Sequence, residues 1–396
     1  MNICLISREY PPETGWGGIG TYTYNMAHAL AQNKNHVTVI SCSSDFSTDY
    51  FDKKVHVFRI KTPNPHFVGN CLKHSCAVFN KLSQLCDDFD LIEAPEFRAE
   101  GLVSVYHLDV PLITRLHTPT YLLNKLSIKK NSFRFHSRLL NDHLLNFLEK
   151  AQTTQSAGVT APSKAILDEI AMAWKIKTSN IKIIPNGIDV KRIRSIKTDD
   201  FIEAISTGPA YIAYVGRVEA RKGVLILAMA LPFVFEKFPN LKVLFIGDYN
   251  PFRNDDEKKI VLNLNFKHRN NIIFTGYVKE NHKLSLIKGA KLVVLPSLWE
   301  AFGYTCLEAM ALSKTVIATR GSGFEEIIED TTSGFLVRPN DYKDLQKRIV
   351  ACLENECLLR SIENAAGQRA QDFDVTKISQ ACNMYYKEIK QNRSKR

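Results

Sequence analysis

Short apolar runs alternate with helical stretches along the whole chain, and this alternation restricts the folds that the chain can adopt. The first half contains seven runs typical of β-strands, from 2–7 to 181–187, and the second half restarts with six more, from 211–216 to 333–337. Helical stretches such as 163–175 separate most of them. Strands that alternate with helices form parallel sheets covered by helices on both faces. The two series therefore predict an α/β chain with two doubly wound domains.

The length of the chain, 396 residues, is also more than one hydrophobic core usually supports. A charged and polar stretch without a strand-like run, 189–208, lies between the two series. We expect a first domain at 1–195, a second at 205–370, and a helical segment at 371–396 that packs back on the first domain. Because ligands of parallel α/β sheets bind beyond the carboxyl ends of the strands, we expect the site in a cleft where the two domains face each other.

The charge and the cysteines narrow the class of protein. The net charge of +11 is spread at +5 over residues 1–200 and +6 over the remainder, without the basic block of a nucleic-acid-binding arm. The nine cysteines include no C-x-x-C pair, which favours reduced core thiols in a cytoplasmic protein over a zinc site. The apolar run 2–7 is too short for a signal peptide, and the longest one, 224–235, is too short to span a bilayer.

A glycine-rich segment at 15–20 matches the G-x-G-x-x-G pattern of dinucleotide-binding proteins. In that fingerprint the first glycine directly follows a strand, whereas here the charged and proline-containing stretch 8–14 intervenes. The acidic residue expected about 20 positions further on is matched only loosely, by Asp45. The pattern alone therefore disfavours an NAD site and leaves the glycines to be explained.

The most informative segment runs from 295 to 328, where a buried strand is followed by a loop and a helix that opens near Tyr304. Glu300 lies in the loop and Glu308 one turn into the helix. The first amides of a helix form a natural anion site, and carboxylates accept strong hydrogen bonds from sugar hydroxyls. The alternative is that both are surface acids at a helix start, where acids are common.

A second segment, 214–224, favours a ligand over that alternative. Its strand ends at Gly216 and Arg217, and Lys222 opens the next helix. Both cations would project from the carboxyl edge of the first strand of the second domain, where a diphosphate would bind. Two edge segments of one sheet thus indicate one ligand that carries phosphate and hydroxyl groups.

These segments resemble the family 4 type of retaining glycosyltransferases with the GT-B fold, and the resemblance extends over nearly the whole chain. Glu300 and Glu308 match the family's E-x7-E motif, and 216–223 matches its G-R-x4-K-G element. Three further stretches are similar to this family: 115–119, 161–164 and 185–189. The resemblance implies two Rossmann-like domains that face a central cleft.

The resemblance also implies a role for each matching residue of the second domain. Arg217 and Lys222 would bind the diphosphate of a nucleotide-sugar donor, and Glu308 would hold the ribose hydroxyls. Glu300, with the backbone amides of the loop, would hold the hydroxyls of the donor sugar. The loop and helix-start positions on the donor side are Phe302, Gly303, Tyr304 and Thr305.

In the first domain, the resemblance places His117 near the transferred sugar and Gly17 and Gly18 in a loop that faces the donor phosphates. A packed core histidine is the alternative for His117. The chain departs from the family pattern at Ala301, where glycine is common, and at 321–326, which replaces the more frequent G-G-x-P-E. The latter change makes the loop before Glu326 harder to assign.

The activity that the resemblance implies is sugar transfer from a UDP- or GDP-sugar to a hydroxyl of a glycan, a lipid-linked acceptor or a small molecule, as in polysaccharide biosynthesis. No metal or other cofactor is expected, because no Asp-x-Asp pair ends a strand and cations already face the expected diphosphate. A nucleotide-sugar epimerase of the same fold and a non-catalytic nucleotide-sugar-binding subunit are the alternatives. Donor consumption that requires an acceptor would separate the enzyme from both.

One helical stretch, 125–150, is open to two interpretations. It is rich in Lys and Arg and carries an apolar stripe: Leu139, Leu140, Leu144, Leu145, Phe147 and Leu148. Such a helix either packs on its own sheet or lies on a membrane surface. The second interpretation would put a cytoplasmic protein at the inner face of the membrane.

Overall fold

The computed structural model describes the chain except for residues 13, 15–16, 44, 63–66, 86–88, 127–134, 198–207, 249–255 and 395–396. The chain divides into two compact units. The first comprises Met1–Lys125, Lys129–Gly187 and Val375–Arg396, and the second Leu126–Ile128 and Ile188–Asp374. The long segment of the second unit thus begins at Ile188, at the start of the polar stretch, and the chain returns to the first unit at Val375.

The described elements alternate as the apolar pattern predicts. The strands are β1 (Asn2–Ile6), β2 (His36–Ser43), β3 (Thr48–Asp52), β4 (Val55–Lys61), β5 (Leu91–Pro95), β6 (Leu112–Arg115), β7 (Gly158–Ala161), β8 (Ile181–Ile183), β9 (Tyr211–Val215), β10 (Lys242–Ile246), β11 (Ile272–Gly276), β12 (Leu292–Leu295), β13 (Val316–Thr319) and β14 (Phe335–Val337). The helices are α1 (Gly18–Gln32), α2 (Val68–Ser83), α3 (Leu102–His107), α4 (Thr120–Leu126), α5 (Phe135–Gln155), α6 (Lys164–Trp174), α7 (Val190–Arg194), α8 (Val224–Lys237), α9 (Asp256–Leu264), α10 (Glu280–Gly289), α11 (Tyr304–Ala311), α12 (Phe324–Ile327), α13 (Tyr342–Glu354), α14 (Glu356–Arg369) and α15 (Val375–Ser394). Within the described ranges, no helix combines the length and the apolar character that crossing a bilayer requires.

The sheet of the first unit has the order β3-β4-β2-β1-β5-β6-β7-β8. All its neighbours are parallel except β3 and β4, which form an antiparallel pair at one edge. The pattern of apolar runs does not predict β3, because Thr48–Asp52 alternates between exposed and half-buried positions. Such an edge strand needs no apolar run, since its alternate residues are exposed to solvent.

The sheet of the second unit has the order β11-β10-β9-β12-β13-β14 and is parallel throughout. Every residue of β9 and β12 is buried, as expected for central strands covered on both faces. The strand order reverses between β9 and β12, and in the first sheet between β1 and β5. Ligands of doubly wound sheets bind at such reversals, beyond the carboxyl ends of the strands. The segments that follow β9 and β12 therefore lie where a ligand is expected.

The closing helix α15 is part of the core of the first unit. The Tyr386 hydroxyl donates to Glu93, in the middle of β5, over 2.6 Å, and the Tyr22 hydroxyl from α1 donates to the same carboxylate over 2.8 Å. Glu93 is 3% exposed. A buried carboxylate without these donors would be costly, so α15 satisfies a group that the first unit buries.

Candidate active site

The loops after β9 and β12 each contain a position where a close neighbouring segment requires glycine. Gly223 precedes α8 with φ +71°, and a Cβ there would overlap the carbonyl oxygen of Pro296. Gly303 precedes α11 with φ +110°, and a Cβ there would strike the Phe324 ring. Both backbone conformations also disfavour residues with a side chain. The two segments singled out in the sequence thus lie against each other in the second unit, where Gly223 contacts Pro296.

An ion pair between Lys222 and Glu300 joins the two loops. The Lys222 ammonium contacts Glu300 Oε1, and the two side chains are 22% and 17% exposed. Burial raises the pKa of Glu300, but the Lys222 ammonium, with Arg221 and the Ser297 hydroxyl, outweighs it and holds the pKa below its ordinary value. Glu300 is therefore an ionised carboxylate that accepts hydrogen bonds and does not donate them.

Glu308, on the first turns of α11, is 5% exposed and faces a cation that the sequence motifs do not reveal. The Lys283 ammonium, from α10, lies 2.7 Å from Glu308 Oε2. A paired and nearly buried carboxylate is held in one position, which suits a residue that reads ligand hydroxyls. No spacing rule connects Lys283 to Glu308, because the pair joins two helices that are distant in the sequence.

Arg217 pairs with neither Glu300 nor Glu308 among the contacts of the described residues. Its side chain is 65% exposed and lies 3.4 Å from Glu219 Oε1. Arg221, which the sequence motifs do not assign, lies 2.6 Å from the same oxygen and is only 12% exposed. The structure thus brings together Lys222 and Glu300, adds Arg221 beside them, and leaves Arg217 at the outer edge of the loop.

The start of helix α11 packs on the core on one side. On the other side it contacts the loop 321–326, whose sequence differs from the family pattern. Phe302 is 3% exposed, and its ring packs edge-to-face on Tyr304, with 6.0 Å between the ring centroids. The Gly323 amide donates to the Glu300 carbonyl over 2.8 Å. Gly303, Tyr304 and Thr305 are all half-buried. The altered loop sequence therefore still contacts the backbone of the E-x7-E segment.

In the first unit, the glycine-rich segment meets an acid at the start of α1. Gly17 immediately precedes this helix, and a Cβ there would overlap the Glu9 carboxylate. The Gly20 amide donates to Glu9 Oε2 over 3.3 Å, and Gly18 is exposed. Gly15 and residue 16 lie outside the described residues. Gly17 therefore allows a carboxylate to reach the positive end of the helix.

His117 lies just beyond β6 and is 8% exposed. Its amide donates to Glu96 Oε2 over 2.8 Å, and its ring packs edge-to-face on Tyr22 with 5.4 Å between centroids. Burial, together with the positive charge of Arg115, lowers the pKa of His117 to about 3. The imidazole is therefore neutral at physiological pH and suits hydrogen bonding better than proton donation.

The pKa of His117 gives a pH prediction. In the unfolded chain an ordinary histidine has a pKa of about 6.5, so between about 3 and 6.5 the unfolded state binds more protons than the folded state. This residue therefore makes the fold less stable as the pH falls through that window. We expect the NMR signal of the His117 ring, assigned by its loss in His117→Gln, to stay unchanged from pH 7.5 to pH 5. A titration of that signal centred near pH 6.5 would contradict the burial argument.

The acidic, histidine and cysteine side chains bear on metal binding. In the portion of the chain that the structure covers, no three His, Cys, Asp or Glu side chains cluster as a metal site requires. Among the described cysteines only Cys76 and Cys357 are exposed, and all are free thiols. Burial raises the pKa of Cys71 to about 11, well above that of a reactive thiol.

Family models match both halves of the chain. Residues 16–192 match the model described as Glycosyltransferase Family 4, and residues 195–369 match the model described as Glycosyl transferases group 1. The second match contains Lys222, Glu300 and Glu308. The first contains Gly17, Gly18 and His117.

Individual proteins are similar over comparable lengths. An uncharacterized glycosyltransferase of Methanocaldococcus jannaschii is 25% identical over 351 residues, which cover 86% of each chain. The structure of a sucrose-phosphate synthase from Thermosynechococcus elongatus has a TM-score of 0.80 at 20% identity and covers 98% of both chains. An Anabaena protein crystallised with UDP and glucose has a TM-score of 0.71 at 21% identity, over 98% of this chain and 100% of that one. The fold is therefore the GT-B fold.

Proposed function

The chain belongs to the family 4 (group 1) glycosyltransferases, and from that premise we propose that it transfers a sugar, with retention, from a nucleoside diphosphate sugar to an acceptor hydroxyl. The ion pair between Lys222 and Glu300 is the observation that carries this proposal. It places a cation and an ionised carboxylate side by side at the reversal of the second sheet. A sugar linked to a diphosphate presents hydroxyls and negative charge next to one another, which a carboxylate and a cation can bind together.

The donor roles follow from the local chemistry of each group. Lys222, with Arg217 at the loop edge, stabilises the diphosphate. Glu300 accepts from hydroxyls of the transferred sugar, because its carboxylate is ionised and only accepts. Glu308, held by Lys283, accepts from the ribose hydroxyls. The amides at the start of α11 add the positive end of a helix to the diphosphate side.

In the proposed reaction the acceptor oxygen forms a bond to the anomeric carbon while the bond from that carbon to the diphosphate oxygen breaks. The acceptor proton passes to the departing diphosphate, and attack comes from the same face, so the configuration is retained. Neutral His117 braces the sugar. We propose that no metal takes part, because Lys and Arg stabilise the leaving charge as a metal would.

We propose UDP or GDP as the nucleotide of the donor. The Anabaena protein named above was crystallised with UDP and glucose, which supports UDP by similarity of fold. The cations expected at the diphosphate suit both nucleotides. The proposed acceptor is a hydroxyl of a glycan, of a lipid-linked sugar or of a small molecule.

A melting-temperature panel tests the donor proposal. A ligand at a hundredfold excess over its Kd stabilises the folded state by about 2.7 kcal/mol. We expect UDP or GDP to raise the melting temperature clearly and ADP and NAD to leave it unchanged. A response to NAD alone would overturn the proposal, and it would restore the dinucleotide interpretation of the glycine-rich segment.

A further inference from the structure

Two arginines follow the two strands at which the order of the first sheet reverses. Strand β1 ends at Ile6 and is followed by Arg8, and β5 ends at Pro95 and is followed by Arg98. The two strands are parallel neighbours, so both segments leave the sheet at its carboxyl edge. Doubly wound sheets bind ligands at such a reversal. The first unit therefore has a ligand position of its own, and two cations lie beside it.

Buried carboxylates hold the backbone of both arginines. The Arg8 amide donates to Glu100 Oε2 over 2.9 Å, and the Arg98 amide donates to Glu149 Oε1 over 2.8 Å. Glu100 is 2% exposed and Glu149 is 0% exposed. Because these bonds go to main-chain groups, they fix the point from which each arginine side chain starts. A substitution of either side chain leaves the two bonds in place.

Arg98 is held in an unusual backbone conformation. Its φ is +59°, and the φ of Ala99 is +53°. Residues with a side chain seldom adopt this left-handed region, and they keep it only where the surrounding structure determines it. The bond to Glu149 and the bond from the Gly101 amide to Gln152, over 2.8 Å, supply that constraint. Positions of this kind cluster at ligand-binding sites.

The two arginine side chains lie near each other, and both are half-buried. Burial lowers the pKa of Arg98, and the positive charge of Arg8 adds to that effect. Both cations also act on Cys71, where they oppose the rise that burial gives to the pKa of the thiol. Arginine stays charged in proteins. Two like charges held close together favour an anion that contacts both of them.

The acids nearby offset this positive charge only in part. Burial raises the pKa of Glu149 to about 7, so near neutral pH this carboxyl carries roughly half of its charge. Glu100 is the other acid that acts on Arg98. Among the described groups that act on Arg98, positive charge therefore exceeds negative charge near neutral pH.

We propose that Arg8 and Arg98 bind a phosphate group of the acceptor. A guanidinium matches the oxygens of a carboxylate or a phosphate with two parallel hydrogen bonds. A carboxylate has two oxygens and one charge, which a single guanidinium satisfies, whereas a phosphate ester has the additional oxygen or charge that suits a pair. The diphosphate of the proposed donor already has Lys222 in the second unit, which leaves the arginine pair to the other substrate.

The inference rests on the proposed transfer reaction, because it narrows the acceptor of that reaction to a hydroxyl compound that bears a phosphate. A soluble sugar phosphate and the headgroup of a phospholipid share this chemistry. The two sources are separated by the choice of probes.

A second melting-temperature panel tests the proposal on the full chain, with UDP or GDP at saturation so that the donor site is occupied. Glucose 6-phosphate should raise the melting temperature further, and glucose with sodium chloride at equal ionic strength should not. Arg98→Gln should weaken the binding of glucose 6-phosphate roughly 10- to 150-fold, because it removes charge-assisted contacts. Arg98→Lys keeps the charge without the planar fork and should recover part of the affinity.

The lipid probe is dihexanoyl phosphatidylglycerol, kept dilute enough to remain monomeric. Its headgroup carries both a phosphate and hydroxyls. A larger shift from this lipid than from glucose 6-phosphate would assign the phosphate to a lipid, and the reverse would assign it to a soluble acceptor. Arg98→Gln should reduce both shifts.

Arg360→Gln is the matched control. Arg360 is exposed on α14, and its substitution should leave the binding of every probe unchanged within about twofold. The Kd of UDP or GDP should also be the same in Arg98→Gln as in the unchanged protein, which separates a loss of acceptor binding from a loss of the fold or of the donor site.

Three outcomes would overturn the inference. The first is a clear nucleotide shift to which neither phosphate probe adds anything. The second is an added shift that Arg98→Gln does not reduce. The third is an equal loss of nucleotide and glucose 6-phosphate binding in Arg98→Gln, which would assign the arginines to the donor. A protein that no nucleotide stabilises would instead contradict the proposed function, and glucose 6-phosphate alone would then show whether the arginines bind phosphate.

Discussion

Replacement of Lys222 by alanine is expected to lower kcat/KM for sugar transfer roughly 10- to 150-fold. A charge-assisted contact is worth about 1.5–3 kcal/mol, and the leaving diphosphate carries the charge that Lys222 offsets. The variant also removes the ion-pair partner of Glu300, whose side chain is only 17% exposed. Steady-state kinetics with the nucleotide sugar identified by the melting panel measure the loss.

The matched control for Lys222 lies on the helix that follows it. Lys237, at the end of α8, pairs with Glu354, and both side chains are about half exposed. Exposed pairs contribute little, so Lys237→Ala should change kcat/KM by no more than about twofold. Equal kinetics for Lys222→Ala and the unchanged protein, with equal melting temperatures, would remove Lys222 from the donor site.

Replacement of Glu308 by alanine is expected to weaken nucleotide binding roughly 10- to 150-fold. The carboxylate is 5% exposed, and the proposed hydrogen bonds to ribose hydroxyls are charge-assisted and shielded from water. Isothermal titration with UDP or GDP measures the change in Kd. Lys283→Ala should weaken binding less, because it releases the Glu308 carboxylate without deleting it, and Lys283→Arg should restore most of the affinity.

Glu325 provides the control for Glu308. It is exposed and accepts a local hydrogen bond from the Gly321 amide over 3.0 Å. Glu325→Ala should leave the Kd unchanged within about twofold. An unchanged Kd for a folded Glu308→Ala protein would place the ribose elsewhere.

Most of the fold could be predicted from the sequence, because its strands are buried on both faces and read as short apolar runs. The central strands β9 and β12 are examples, since every residue in them is buried. Strand β3 escaped prediction for the opposite reason. Its residues, Thr48–Asp52, lie at an edge and alternate between exposed and half-buried positions, so they leave no apolar run to recognise.

The candidate site could be predicted where its residues follow one another at fixed spacing. The eight-residue step from Glu300 to Glu308 and the element that ends at Lys222 are of this kind. The partners Lys283 and Arg221 could not be found in this way. Lys283 reaches Glu308 from another helix. Arg221 is one of several cations in a turn, and only its low exposure in the structure distinguishes it from Arg217.

The orientation of α5 was also beyond the sequence pattern. The apolar stripe of 125–150 predicts an amphipathic helix but not which of its faces is buried. Leu145 points inward while Leu140, Leu144 and Phe147 are exposed, because Glu149 and Gln152 on the inner face bind loop backbone. The apolar pattern gives no indication that buried loop amides need hydrogen-bond acceptors, and that the polar face of α5 therefore packs inward.

Proton NMR of the reaction tests the central claim, retaining sugar transfer, most directly. The protein is mixed with UDP-α-glucose or GDP-α-mannose, as the melting panel directs, and with octyl glucoside or glucose as acceptor probes. The account predicts donor consumption that depends on the acceptor and a new anomeric signal with the α configuration of the donor. An inverted product, or a donor converted to its epimer without any acceptor, would contradict it.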